Sequence, residues 1–170
     1  FNYGLSSRPP NPSELFSDGL HHSAARIELG DLRLTKEISN RVGLSYQFET
    51  NEININIDAY SNQINDFIYL KPTGTQSTIR GAFPVWEYFK TNALLVGFDT
   101  SFDYQFTESW SLNSSLSYVY GQNTEEDIPL IDIPSFKLNN ALNYKLKKWN
   151  HLNVRLAHEW TGKQNRYPNY

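Results

Sequence analysis

Residues 93–120 of the chain read ALLVGFDTSFDYQFTESWSLNSSLSYVY. Apolar side chains occupy nearly every even position from Leu94 to Phe106, and most positions between them are polar or small. The alternation resumes from Trp110 to Tyr120, after a polar break at residues 107–109. A period of two is typical of a strand with one apolar and one polar face, so the stretch predicts a long β-hairpin.

The length of this hairpin separates it from the strands of most soluble proteins. Its apolar stripes continue for about 11 to 13 residues, whereas soluble strands usually have about 5 to 6. A strand that crosses a bilayer needs roughly 9 to 11. The aromatic residues Phe102, Tyr104, Phe106 and Trp110 cluster around the break, and aromatic rings favour the membrane–water interface. The pattern therefore predicts a hairpin that spans a membrane.

The composition excludes several classes of protein. The chain has 170 residues, of which 39% are hydrophobic and 19% are charged, and its mean hydropathy is -0.57. No run approaches the roughly 18 apolar residues of a membrane-spanning helix. The absence of cysteine excludes disulfides and thiolate metal sites. The net charge of -3 comes without a basic stripe, so nucleic acid is not expected as a partner.

The rest of the chain repeats the alternation and predicts about seven strands, one of them truncated. Short turns are expected at residues 49–52, 107–109 and 147–150, with long loops elsewhere, including an acidic one at 121–134. Short turns on one rim and long loops on the other are typical of outer-membrane barrels. The predicted fold class is all-β: long antiparallel up-and-down strands that form a partial slice of a transmembrane β-barrel. A soluble sandwich or lipocalin-like barrel is the alternative.

Three local predictions accompany this topology. Asn11 as cap, Pro12 and Glu14 predict a short helix. From Leu32 the apolar residues occupy even positions, which predicts a long strand. After residue 61 the alternation drifts, as expected for a strand that leaves its apolar environment, and residues 71–84 are predicted to be a loop.

The chain resembles TonB-dependent outer-membrane receptors in an ordered set of short motifs. These are Arg-x-Pro at 8–10, Glu-Leu at 14–15, Gly-x-His at 19–21, Glu-x-Gly at 28–30 and Leu-x-x-Glu-x-Ser at 34–39, followed by residues 64–70 and 97–99. The resemblance implies that residues 1–170 are part of one β-barrel domain, roughly a third of a 22-stranded barrel. The plug domain and the barrel-closing strands are expected to lie outside this chain.

The same resemblance implies a function, a location and partners. The expected function is energy-coupled uptake of a metal or metal chelate, such as zinc, an iron–siderophore or haem, across the bacterial outer membrane. The expected partners are outer-membrane lipid, a TonB-type energising protein that acts through the plug, and the metal-containing substrate. No permanently bound cofactor is expected, because zinc or an iron chelate would be a transported ligand.

The candidate metal ligands are His21 and His22, with Asp18 and Glu28 as possible oxygen donors. The segment 19–22 resembles the branch of the family that takes up zinc, and neutral imidazole is a common zinc ligand. Solvated histidines in an exposed loop are the simpler alternative. A receptor for an anionic chelate would instead use aromatic and arginine side chains, and those available are Phe16, Arg8, Arg26, Arg80, Trp86 and Tyr88.

The chain lacks the sequence signatures of common enzymes. It contains neither Gly-x-Ser-x-Gly, nor His-Glu-x-x-His, nor a phosphate-binding glycine loop. We therefore predict that it is not an enzyme. The competing function is ligand binding without transport, by a soluble calyx or a surface adhesin built from the same strands.

Overall fold

The computed structural model describes residues 1–146, 148 and 152–169. These residues form ten strands and one helix: β1 Asn2–Arg8, α1 Pro12–Phe16, β2 Asp18–His21, β3 Arg26–Leu29, β4 Glu37–Glu49, β5 Ile53–Thr78, β6 Gly81–Gln105, β7 Trp110–Asn123, β8 Ile128–Pro129, β9 Lys137–Lys145 and β10 Asn153–Thr161. No helix within the described ranges is long and apolar enough to cross a bilayer.

Seven of the strands form one antiparallel sheet in the order β1-β4-β5-β6-β7-β9-β10. Each strand pairs with the next along this path, as in Phe98 opposite Tyr118 on β6 and β7. This arrangement confirms the predicted all-β, up-and-down slice of about seven strands. The short turns between β4 and β5 and between β6 and β7 are where the sequence predicts them. The predicted turn at 147–150 lies outside the described residues, apart from Lys148.

The predicted loop at residues 71–84 is wrong, because β5 and β6 continue through it as one long hairpin. Their ladder runs on to Thr78 opposite Gly81. A register shift between Pro72 and Gly74 accommodates the first proline, which has no N–H to donate to the ladder. The hairpin therefore extends far beyond the segment where β6 pairs with β7.

A β-bulge in β5 accounts for part of the drift in alternation after residue 61. Ile64 pairs with Ala93 and Phe67 pairs with Thr91, so two residues of β5 lie opposite a single residue of β6. Asp66, one of the two, has a φ of 54°. A bulge moves the following side chains to the other face, so it explains the change of phase from residue 67 on.

The start of β4 also differs from the prediction. The even-position pattern begins at Leu32, but β4 begins at Glu37. Leu34 is buried nonetheless, and its N–H donates to the carbonyl of Asp31 in a turn. Its apolar character reflects packing of the preceding loop rather than a strand.

The two faces of the sheet differ in chemistry, as the alternation predicts. One face carries exposed apolar side chains, which are Val42, Leu44, Tyr46, Phe48, Ile57, Val96, Phe98, Val154, Leu156 and Trp160. The other face carries a polar ladder. The Asn56 amide donates to the Ser101 hydroxyl at 3.2 Å, and the Asn113 amide donates to Asp103 at 2.6 Å. We call these the outward face and the polar face.

Candidate functional site

At its base, the loop between β1 and β4, residues 9–36, is joined to the sheet by an arginine cluster. Arg8 Nη1 donates to both carboxylate oxygens of Glu14 at 3.0 Å, and its Nε donates to Glu37 Oε2 at 2.8 Å. Glu37 Oε1 accepts the N–H of Ile68 at 2.7 Å. The hydrogen bond to Glu37 is the main cause that raises the pKa of Arg8 above its ordinary value. The cluster joins β1, α1, β4 and β5 at one point.

The helix α1 has the capping box that the sequence predicts. The side chain of Asn11 accepts the N–H of Glu14 at 2.9 Å, and Glu14 returns a carboxylate oxygen to the N–H of Asn11 at 2.8 Å. The Glu14 carbonyl then accepts the N–H of Asp31 at 2.9 Å. Gly30 abuts this helix so closely that a Cβ there would lie 2.6 Å from the Leu15 carbonyl carbon. The loop is thereby folded back on its own helix.

The strands β2 and β3 bring together the charged centre of the loop. His21 pairs with Arg26 in register, and both contact Glu28: His21 Nδ1 lies 3.0 Å from Glu28 Oε1, and Arg26 Nε donates to the same oxygen at 2.7 Å. Burial raises the pKa of Glu28, but the hydrogen bonds from His21 and Arg26 outweigh it, and the pKa is lower than usual. Glu28 therefore stays ionised.

The β2–β3 hairpin is attached to the β5–β6 hairpin, beyond the segment where β6 pairs with β7. The sequence does not reveal this contact. β3 runs parallel to β6, with Glu28 opposite Trp86. The guanidinium of Arg26 lies 4.8 Å from the ring centroid of Trp86, a cation–π contact. Parallel pairing with a strand more than fifty residues away leaves no local signal, so residue spacing alone could not have found it.

The four predicted metal ligands are only partly brought together. Asp18, His21 and Glu28 line one open pocket of about 350 Å³, together with Ser13, Ser17, Gly19 and Leu20. His22 lies in the turn between β2 and β3 and does not line it. Across the described ranges, no three histidine and carboxylate side chains are grouped so that they could hold a metal ion. Metal binding by these residues stays a prediction.

The residues suggested for an anionic chelate are also dispersed. Arg8 is engaged by two carboxylates. Phe16 is exposed, and Arg80 lies at the tip of the β5–β6 hairpin. Arg26 and Trp86 are in contact. Burial raises the pKa of Tyr88, which is also close enough to Glu28 and Arg26 for their charges to affect it. Arg26, Trp86 and Tyr88 are therefore the members of this set that lie near one another.

The acidic loop after β7 packs against the β5–β6 hairpin. Leu130 is 2% exposed and packs with Ile64 and Ala93. Nearby, the carboxamide oxygen of Asn123 accepts the hydroxyl of Thr91 at 2.7 Å. These contacts attach the loop to β5 and β6.

Comparison with known proteins gives a family and a fold. The family model described as TonB dependent receptor-like, beta-barrel matches residues 1–170. The structure is similar to that of the copper transporter OprC, with a TM-score of 0.80, 22% identity, and coverage of 98% of this chain and 24% of that chain. No curated protein sequence matches.

A siderophore receptor, PirA, and a ferric enterobactin receptor, PfeA, have the same fold. PirA from Acinetobacter baumannii gives a TM-score of 0.65 and 18% identity, covering 94% of this chain and 26% of its own. A mutant of the ferric enterobactin receptor PfeA from Pseudomonas aeruginosa gives a TM-score of 0.69 and 17% identity. The match covers 96% of this chain and 25% of the PfeA chain. The chain thus spans about a quarter of the length of the structures it matches.

Proposed function

Because the chain belongs to the TonB-dependent receptor β-barrel family, we propose that it forms a wall segment of a bacterial outer-membrane receptor that imports a metal ion or a metal chelate. Uptake would be driven by a TonB-type protein acting through a plug domain outside this chain. The segment's own roles are to line the lumen with its polar face and to present loops to the substrate.

The observation that carries this proposal is the uncovered outward face. Leu44 is 59% exposed and Leu156 is 72% exposed, and no described element packs over this face. A soluble sandwich would bury such a surface against a second sheet, and an apolar surface of this extent indicates contact with lipid or protein. Contact with lipid explains the exposed apolar side chains of the outward face, and a water-filled lumen explains the hydrogen-bonded side chains of the polar face.

We propose that the substrate is captured at the loop of residues 9–36, where His21 and Glu28 are adjacent. An imidazole and a carboxylate at 3.0 Å are half of an adequate N/O zinc site. His22 and Asp18 would complete it if the turn moved. The names of the similar structures, a copper transporter and siderophore receptors, support a metal-containing substrate in general.

An anionic chelate is the second candidate, and Arg26 favours it. Its guanidinium lies beside Trp86, and it shares one oxygen of Glu28 with His21. A cation bound by Glu28 would have to displace this guanidinium, whereas an anionic ligand would be attracted to it.

Substitutions in the intact receptor separate the two candidates. If a metal ion is captured, His21→Ala with His22→Ala abolishes zinc binding in calorimetry and impairs zinc-limited growth. Arg26→Gln, which removes the guanidinium that competes for Glu28, does not weaken zinc binding. Zinc affinity should also fall at acidic pH, since a protonated histidine cannot bind metal. Unchanged zinc binding in the histidine variants, with loss of siderophore uptake in Arg26→Gln, would replace the metal with a chelate.

A further inference from the structure

Two loops meet the sheet at the level of the β-bulge in β5. The loop of residues 9–36 joins β4 at Glu37, and Ile38, the next residue, pairs with the first bulged residue, Asn65. The acidic loop follows Asn123, the last residue of β7. The bulge is opposite Asn92, which precedes the residue that pairs with Asn123. The bulge therefore lies between the bases of the two loops.

The second bulged residue, Asp66, is bound to the loop of residues 9–36. The Thr35 hydroxyl donates to Asp66 Oδ2 at 3.0 Å. Lys90 Nζ lies 3.0 Å from Asp66 Oδ1 and donates to the Thr35 hydroxyl oxygen at 3.0 Å. Each of these three side chains thus contacts the other two.

Asn92 connects the same bulge with the acidic loop. The strand ladder leaves out Asp66, and its N–H donates to the side-chain oxygen of Asn92 at 3.3 Å. The side-chain nitrogen of Asn92 donates to Glu125 Oε1 at 2.8 Å, and its carbonyl accepts the N–H of Thr124 at 2.8 Å. Because a carboxamide is planar, with its acceptor and its donors on different atoms, one orientation serves both side-chain partners.

The bulge is the element of this chain of contacts that can change conformation. Asp66 has a φ of 54°, a left-handed conformation that is uncommon outside glycine. Such a conformation persists when surrounding contacts hold it, and here those contacts come from Thr35, Lys90 and Asn92. Loss of the Thr35 contact would let Asp66 relax and turn its N–H away from Asn92. The Asn92 side chain would then no longer be held towards Glu125.

We infer that Asp66 and Asn92 couple the two loops, so that order in the loop of residues 9–36 stabilises the acidic loop. Coupling of this kind is reciprocal, so order in the acidic loop also stabilises the loop of residues 9–36. The inference deepens the proposed function and rests on it for its role. A metal ion or chelate captured at the loop of residues 9–36 would also hold the acidic loop against the β5–β6 hairpin.

Hydrogen exchange of the intact receptor without substrate tests this coupling. Thr35→Val removes the hydroxyl but keeps the shape of the side chain, and heat-modifiable gel mobility verifies folding. The Thr124 N–H should then exchange about 2- to 30-fold faster. The matched control is Thr73→Val, which removes a hydroxyl–carboxylate bond to Glu87 on the same hairpin and should leave Thr124 unchanged. Unchanged exchange at Thr124 in Thr35→Val, or equal changes in both variants, would overturn the inference.

The reverse direction is measured at the Leu34 N–H, which donates to the Asp31 carbonyl beside Thr35. Glu125→Ala should speed exchange there by a similar factor, because the coupling is reciprocal. Asp127→Ala is the control, since Asp127 also belongs to the acidic loop but accepts from Gln122. No change at Leu34 in Glu125→Ala, or the same change in Asp127→Ala, would count against the coupling.

A double variant tests whether the coupling passes through the bulge. Asp66→Gly removes the carboxylate, and glycine adopts the left-handed conformation readily. In this background Thr35→Val should cause no further change at Thr124. Additive effects of the two substitutions would refute the bulge as the connection.

The inference and the proposed function can fail separately, because these measurements contain no substrate. Coupled loops in a receptor that binds neither zinc nor a siderophore would refute only the proposed capture. Zinc binding or siderophore uptake by a receptor with independent loops would refute only the coupling.

Discussion

Removal of the Arg8 side chain should loosen the base of the loop of residues 9–36, which stays attached to β6 through β3. Glu14 is 7% exposed and Glu37 is 9% exposed, so Arg8→Ala leaves two nearly buried carboxylates without their cation. Breaking a fully buried pair costs about 3–5 kcal/mol. The Arg8 side chain is itself 44% exposed, and water can partly replace and screen it. We therefore expect a loss of about 1–3 kcal/mol in the local opening free energy.

Amide hydrogen exchange of the intact receptor measures this loss at two defined sites. The Asp31 N–H donates to the Glu14 carbonyl, and the Ile68 N–H donates to Glu37. Both should exchange roughly 5- to 150-fold faster in Arg8→Ala, whereas the amide of Phe98 should not change.

The conservative variant provides the control for charge. Arg8→Lys keeps the charge but cannot contact both carboxylates through a planar fork, so its effect should be intermediate. Exchange at Asp31 and Ile68 that is as slow in Arg8→Ala as in the wild type would refute the proposed role of the cluster.

Three further outcomes follow from close contacts and charges. Gly97→Ala would place a Cβ 2.6 Å from the Tyr60 hydroxyl and so displace that ring. The free energy of unfolding, measured by urea titration of the lipid-refolded receptor, should fall by about 1–3 kcal/mol. An unchanged urea midpoint would contradict this. Gly30→Ala would collide with the backbone of α1 and should speed exchange at Asp31, whereas Gly74→Ala, with open space around it, should not. The hydrogen bond from Lys90 holds the pKa of Asp66 below its usual value. The Asp66–Lys90 pair therefore stabilises the folded bulge above the usual carboxyl pKa of roughly 4, and this stabilisation is lost as pH falls through the lowered pKa. Exchange around the bulge, corrected for intrinsic rates, should be constant from about pH 8 to 5, and an increase beginning near neutrality would contradict this assignment.

The sequence predicts the parts of the fold that depend on neighbouring residues. Alternation along β6 and β7 gives their length, faces and connecting turn, because the side-chain period of a strand is fixed by backbone geometry. Asn11 and Glu14 give the helix for a similar reason, since a capping box is satisfied within four residues.

What the sequence does not predict depends on distant pairing. Pro72 and Gly74 have the composition of a loop, yet the ladder with β6 continues past them because a register shift absorbs the proline. The change of phase from residue 67 on reflects a bulge that only the partner strand defines. The contact of Arg26 with Trp86 requires β3 to cross to β6, which no local pattern specifies.

The sequence also predicts some features of the candidate site and misses others. Arg8, Glu14 and Glu37 belong to separate motifs in the sequence, and the structure shows that their side chains meet. Asp18, His21 and Glu28 are close in the chain, and they line one pocket. The exclusion of His22 follows from the turn between β2 and β3, whose geometry the adjacent histidines do not reveal.

In the proposed receptor the outward face contacts lipid and the polar face lines a lumen. Spin labels at Val96, Phe98 and Phe102 in the intact receptor test it against labels at Asp99 and Ser101 on the same strand. We expect the first three to be accessible to oxygen and shielded from a water-soluble nickel complex, and the other two to show the reverse. Lipid-like accessibility at Asp99 and Ser101, or water at Val96 and Phe98, would contradict the account.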